Sequence, residues 1–321
     1  MAGIARRSAV RAADASPEAV PSVVVLGDLI LDVTTALREP IAAGTDAPAT
    51  IRFHQGGSAA NTARTLARLG ARVSFVGSVG RDAWGSALVR SLRDAGVAVH
   101  APRVPAATAR IVVLVATDGE RSFATERGAA DGLQPGHLQA AWFRRDALHM
   151  PAYSLFNPPL RDAAFAAAAF MREAGGLVSV DLASRRPLLA RGRQAAQRDL
   201  REIAPDLLFA NMDEAAALVG GRGRDALLEI APVVALKQGS SGCLVLVRRG
   251  SDVIALAVAT RAVEATDTTG AGDAFDAGFL YAWLSASAES RRDPRILRLA
   301  ALAGHRAAQR HLATGQPELE P

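Results

Sequence analysis

The sequence holds a single cysteine, Cys243, and a single lysine, Lys237. One thiol excludes an intramolecular disulfide and any multi-cysteine metal site. Cys243 lies in an apolar run, Cys243-Leu-Val-Leu-Val247, where a small buried hydrophobe is expected, and this usage fits a reducing cytoplasm. The six histidines show no HExxH or comparable metal spacing. Aromatic residues make up 5% of the chain, so alanine, valine and leucine must fill the core. Apolar runs are short: Val23–Leu26 and Ala163–Phe170 fall well below the roughly 20 residues of a membrane span, and no membrane partner is expected. Every basic side chain except Lys237 is arginine, which titrates above about pH 12. A pI of 10.4 therefore accompanies a net charge of only +5. The arginines are scattered rather than striped, so nucleic acid is not an expected partner.

Residues 1–21 are rich in alanine and arginine, with Asp14 and Glu18 late in the stretch. They lack the apolar core of a secretory signal and are expected to form a disordered tail. Residues 22–321 suffice for one large α/β domain. Val23–Leu26 reads as a buried strand ending in Gly27-Asp28. Ala59–Leu69 is strongly helical and closed by Gly70; Val73–Val76 is a strand, and a helix from about Trp84 to Ala95 ends at Gly96. Asp118-Gly119 marks a hairpin between Ile111–Val115 and Arg121–Thr125. Strands at Ala147–Met150, Leu177–Asp181, Leu207–Ala210, Val233–Lys237 and Cys243–Val247 alternate with helices over 160–174 and near 213–219. Two helices, about 273–286 and 295–311, close the chain. This alternation predicts a three-layer α/β fold, with a mostly parallel central sheet and helices on both faces. Segments at about 34–55 and 108–128 read as a small separate β-sheet lid.

The chemistry concentrates in Asp267-Thr-Thr-Gly270-Ala-Gly272-Asp273, which opens an apolar helix. Gly270 and Gly272 let a ligand approach the backbone closely. The first-turn N–H groups lack intrahelical partners and, with the helix dipole, form a pocket for an anion. Phosphoryl transfer needs such a pocket, because charge spreads over the oxygens of the transferring group. Asp273, on the same turn, is placed to take a proton from an attacking hydroxyl. Taken alone, the same pattern also suits a helix cap with a glycine turn.

The segment Asp267–Asp273 with its helix resembles the C-terminal motif of the ribokinase-like (PfkB) carbohydrate kinase family. Gly56-Gly-Ser-Ala-Ala-Asn61-Thr-Ala-Arg-Thr-Leu-Ala-Arg-Leu-Gly70, followed by Val76-Gly-Ser-Val-Gly-Arg-Asp-Ala-Trp-Gly85, resembles its N-terminal motif. The resemblance runs from about Val23 to Gly315. It implies a β lid over a sugar, Asp273 as catalytic base, and the backbone of Gly270, Ala271 and Gly272 as the anion hole. Asp32 corresponds to the aspartate that holds sugar hydroxyls, with Asp28 a second candidate; Gly57 and Asn61 match further substrate contacts. Asn211-Met-Asp-Glu214 resembles the pattern that organises magnesium and phosphates, Glu214 acting through water. Lys237-Gln-Gly239-Ser-Ser-Gly242 matches the nucleotide-binding turn, and His305 falls at a position of adenine contact. Asp267 and the backbone of Thr269 correspond to a monovalent-cation loop, commonly for potassium. The resemblance also implies ATP as donor, a small sugar-like acceptor and pairing of two copies through the lid.

Three positions depart from ribokinases proper and point away from ribose itself: Ile30 replaces an asparagine, Ser58 a lysine, and Met150-Pro-Ala-Tyr153 a glutamate-bearing segment. Arg110, Glu126 and Arg127, in or beside the lid strands, suit either a polar substrate or solvent. The expected activity is phosphorylation of a sugar or sugar acid. A nucleoside kinase of the same fold is an alternative, as is a non-catalytic sugar-binding regulator, although Asp273, Gly270 and Gly272 are all in place. A dinucleotide-dependent oxidoreductase would need GxGxxG after the first strand, where this chain has Gly27-Asp28-Leu29.

Overall fold

The computed structural model describes residues 20–263, 265 and 267–320; the expected N-terminal tail, apart from Val20 and Pro21, lies outside the described residues. Strand β1 (Ser22–Leu26) is buried at every position, as a strand covered on both faces requires. Val23 and Val25 join the core on one side of the sheet, and Val24 and Leu26 join the core on the other. The chain continues through β2 (Ile30–Leu37), β3 (Ala49–Gly56), α1 (Ser58–Arg68), β4 (Arg72–Val76) and the two-residue β5 (Val79–Gly80). Helix α2 (Ala83–Asp94) leads to β6 (Ala98–His100), β7 (Arg103–Val104) and a hairpin of β8 (Arg110–Val115) with β9 (Arg121–Glu126). Then follow β10 (Ala147–Pro151), α3 (Leu160–Glu173), β11 (Leu177–Asp181), α4 (Arg185–Leu188), α5 (Arg193–Ile203), β12 (Leu207–Asn211) and α6 (Met212–Val219). The last elements are β13 (Val233–Lys237), β14 (Cys243–Arg249), β15 (Asp252–Val258), α7 (Ala271–Ser285) and α8 (Pro294–Thr314).

The central sheet has nine strands in the order β15-β14-β13-β12-β11-β10-β1-β4-β6. From β13 to β6 all neighbours are parallel, while β14 and β15 form an antiparallel edge. Helices α1, α2, α7 and α8 cover one face and α3, α5 and α6 the other. Helix α7 is apolar almost all round because it is buried between the sheet and α8; its Phe279 meets Phe209 of β12 edge-on at 5.4 Å. The small sheet runs β3-β2-β8-β9 and stands apart from the central one.

The three layers and the small sheet agree with the sequence reading. The small sheet begins earlier than expected, at Ile30, so Asp32 lies within a strand of it. Helix α5 and strand β15 were not anticipated. Helix α5, Arg-Gln-Ala-Ala-Gln-Arg-Asp-Leu-Arg-Glu-Ile, is mostly polar and buries a narrow stripe of Ala195, Ala196, Asp199, Leu200 and Ile203. In parallel sheets the loops after the strands gather at the carboxyl edge. Here that edge collects the ends of β1, β11, β12 and β13.

Candidate active site

Helix α7 starts at Ala271, two residues before the expected start at Asp273. Its N-cap is Gly270, in the left-handed region at φ 80°, a conformation that favours glycine. The Ala271 N–H bonds to the carbonyl of Thr268 at 3.1 Å, so it is not offered to a ligand. The N–H groups of Gly272 and Asp273 are the first-turn donors left for an anion.

Asp273 faces the start of α1. Ser58 Oγ donates to its Oδ1 at 2.7 Å and Asn61 Nδ2 to its Oδ2 at 2.9 Å. Helix α1 begins at a glycine with φ 99°, Gly57, which has no side chain to cap the helix. The cap comes instead from Asp28, whose Oδ1 accepts the Ala59 N–H at 3.2 Å. A Cβ on Gly57 would lie 2.5 Å from the Asp28 carbonyl oxygen, so close packing as well as φ requires glycine there. Burial pushes the Asp273 carboxyl up to about 6, against the lowering effect of Ser58 and Asn61. It is therefore ionised at neutral pH and more basic than an ordinary carboxylate.

Asp273 lines a cleft of about 610 Å³ together with Asp28, Asp32, Asn61, Arg127 and Tyr153. Asp32 Oδ1 is buried without a hydrogen-bond partner among the described residues. Burial, then the charges of Asp28, Asp267 and Asp273, raise its carboxyl to about 7. Gly56 makes room for this side chain, since a Cβ there would come 2.2 Å from the Asp32 carboxylate. Arg127 donates to Asp28 Oδ2 at 3.2 Å and to Asp131 Oδ1 at 2.7 Å, and its guanidinium lies 5.4 Å from the Tyr153 ring centre.

Asn211 and Glu214 form a reciprocal capping box at the start of α6: Asn211 N–H donates to Glu214 Oε2 and the Glu214 N–H to Asn211 Oδ1, both at 2.8 Å. Glu214 is buried, and burial followed by Asp181 raises its carboxyl above the ordinary value. Gly239 and Gly242 flank the turn after β13 with positive φ. The Lys237 ammonium donates to Asp181 Oδ1 at 2.9 Å and Asp276 Oδ2 at 3.0 Å. Burial opposes its charge, yet Asp181 and Asp276 outweigh burial and hold it protonated. It lies just under the anion pocket, 3.4 Å from where a Cβ on Gly272 would be. His305 does not line the cleft that holds Asp273. It is buried against Phe275 with Nε2 at 3.1 Å from the Val258 carbonyl, where it satisfies a core acceptor. The side chain of Asp267 and the carbonyl of Thr269 are engaged by Arg121 and His311.

The sequence reading did not assign roles to Ser58, Asp181 or Asp276. Asp276 is the second of two carboxylates in an otherwise apolar helix, one turn after Asp273, and that spacing places both on one face. Asp181 ends a parallel strand, where site residues collect. No local signal marks Ser58 beyond its place in Gly56-Gly57-Ser58.

The whole described domain matches the pfkB family carbohydrate kinase description, over residues 20–319. The chain is 36% identical over 272 residues to an ATP-dependent ribose-1-phosphate kinase of Halopiger xanaduensis, covering 81% of this chain and 83% of that one. It is 30% identical over 294 residues to a fructokinase of Escherichia coli, covering 87% and 91%. The structure of a Vibrio cholerae fructokinase with fructose, ADP and calcium ion bound superposes with a TM-score of 0.74 at 26% identity, covering 91% of this chain and 93% of that one. The chain belongs to the pfkB family of carbohydrate kinases, enzymes that use ATP to phosphorylate an alcohol group.

Proposed function

We propose that the protein transfers the γ-phosphoryl group of Mg·ATP to a primary hydroxyl of a sugar or sugar acid, with Asp273 as general base. The observation that carries this reading is the position of Asp273. It lines the cleft, on the same helical turn as the Gly272 and Asp273 N–H groups, with its carboxyl raised to about 6. A hydroxyl entering beside Asp273 passes its proton to the carboxylate as its oxygen attacks the γ-phosphorus in line, and the bond from that phosphorus to the β–γ bridging oxygen breaks to release ADP. The Gly272 and Asp273 N–H groups meet the charge that builds on the transferring group.

The acceptor's other hydroxyls are held by Asp32, whose unpaired Oδ1 accepts one, and by Asp28 and Asn61. A sugar acid or a phosphorylated sugar would direct its anionic group to Arg127, whose Nη2 is buried with no partner among the described residues. No cluster of three or more acidic or histidine side chains suits a metal among the described residues. That fits an ion which arrives with the nucleotide and keeps most of its waters, and Glu214 would orient those waters. Magnesium, when bound, neutralises charge on the β- and γ-phosphates. Gly239, with nothing within 4 Å of where a Cβ would be, leaves the turn after β13 open to the nucleotide, while Gly242 lets the turn pack against the Val258 carbonyl.

The test is ADP release from Mg·ATP by wild type and Asp273→Asn, against pentoses, hexoses, sugar acids, sugar phosphates and nucleosides. Turnover on one sugar class, lost in the variant, is the expected result. Turnover on nucleosides alone would replace the sugar assignment. Acceptor-dependent turnover that survives in the variant would remove Asp273 as base.

A further inference from the structure

The loop 267–270 is the place where the family resemblance puts a monovalent cation. Two groups were expected to ligate it, the Asp267 carboxylate and the Thr269 carbonyl, and both have protein donors on them. Arg121 Nη1 donates to Asp267 Oδ1 at 2.8 Å and stands 3.4 Å from Thr269 Oγ1. The same Asp267 oxygen accepts the Thr269 N–H at 2.8 Å. His311 Nε2 lies 2.7 Å from the Thr269 carbonyl oxygen. A carbonyl can only accept, so Nε2 carries the hydrogen in this contact.

These contacts come from distant parts of the chain. Arg121 is the first residue of β9, the outer strand of the small sheet, and His311 is in the last turn of α8. His311 also packs against Gly270, where a Cβ would lie 2.9 Å from its Nε2. A potassium ion at this loop would compete with the donors on Asp267 Oδ1 and the Thr269 carbonyl, and would stand next to a guanidinium of like charge.

We infer that Arg121 and His311 take the place of the monovalent cation, so that the loop leading to Asp273 is ordered by the lid and the C-terminal helix and turnover needs no potassium. Arg121 supplies the single positive charge. Its guanidinium fork adds directed hydrogen bonds that a bare ion lacks. His311 fixes the carbonyl that would otherwise turn towards the ion. The Arg121–Asp267 ion pair ties the lid to the anion pocket, which makes Arg121 a positioning residue: it reaches the chemistry through Asp267, the glycines and Asp273. This inference rests on the kinase reading, but its nucleotide-binding and melting measurements stand without an identified acceptor.

The experiment compares wild type, Arg121→Lys and Arg121→Ala in potassium, sodium and tetramethylammonium chloride at one ionic strength. Calorimetric affinity for Mg·ADP and the melting temperature are read for each, together with kcat and KM on any acceptor found active. For wild type, the three salts should agree within about two-fold in Kd and kcat. Arg121→Ala should lose at least about five-fold in nucleotide affinity or kcat and recover part of it in potassium alone, as a vacated site would, while Arg121→Lys stays close to wild type. Wild-type binding or turnover that rises about ten-fold with potassium and saturates would overturn the inference. So would an Arg121→Ala protein that matches wild type in all three salts. If no acceptor in any panel is phosphorylated while Mg·ADP binding follows the expected pattern, the kinase assignment fails and the cation inference stands.

Discussion

If Asp273 is the base proposed above, replacing it with asparagine removes that base and little else. The two donors that hold the carboxylate, Ser58 Oγ at 2.7 Å and Asn61 Nδ2 at 2.9 Å, can be met by an amide. The amide oxygen accepts from Asn61, and the Ser58 hydroxyl turns to accept from the amide nitrogen. The phosphate donors are backbone N–H groups and are untouched, so the KM for ATP should stay within a few-fold. General-base catalysis contributes about 10²–10⁴ in rate, or roughly 3–5.5 kcal/mol of barrier, and kcat should fall by at least the lower figure. Stability should move the other way. A carboxyl raised from 3.8 to about 6 is held more comfortably protonated in the fold. Its stabilising contribution is complete below about pH 4 and lost as pH rises through about 6, so the ionised group strains the fold at neutral pH. A shift of that size corresponds to about 3 kcal/mol as an upper bound, and the variant should melt at or above the wild-type temperature at neutral pH. The wild-type kcat/KM should fall about tenfold per pH unit below about 6 and level off above it, and the acid limb should vanish from the variant's residual activity. ADP-coupled kinetics and thermal melts read all of these. Turnover within about tenfold of wild type, with the acid limb intact, would refute the assignment of the base.

Asp32→Asn should raise the acceptor KM by about ten-fold or more and leave the ATP KM within about two-fold, since the proposed partners of the residue are hydroxyls and not phosphate; an unchanged acceptor KM would remove it from the sugar site. Lys237→Met should lower stability by about 3–5 kcal/mol, because it strands the buried carboxylates of Asp181 and Asp276. A melting temperature equal to wild type would show that the pair does not depend on Lys237. His305→Leu should leave the ATP KM within about two-fold while lowering the melting temperature, because it orphans the Val258 carbonyl at a cost of about 1–3 kcal/mol. A ten-fold rise in ATP KM would restore the adenine contact inferred from its sequence position.

The sequence by itself determined the layers and pointed to the head of α7 as the place of the proposed chemistry. Short β-branched runs alternating with amphipathic helices admit few folds other than a covered parallel sheet, and glycines beside an aspartate at the start of an apolar helix are the pattern on which the proposed anion pocket and base rest. These signals are local, carried by periodicity and by backbone freedom within a few residues of each other. Helix α5 was missed because its buried stripe is narrow and its remaining face is charged. Strand β15 is an edge strand with only Val258 of its seven residues buried, so it carries little hydrophobic signal. The tertiary structure alone decided the partners. Nothing local tells Lys237 to meet Asp181 and Asp276, residues 56 and 39 positions away. Nothing local tells His305 to face a core carbonyl, or Arg121 to reach across 146 residues to Asp267. A charged side chain is silent about its partner until packing removes water from it. The cost of leaving it unpaired then selects whichever opposite charge the topology has brought near.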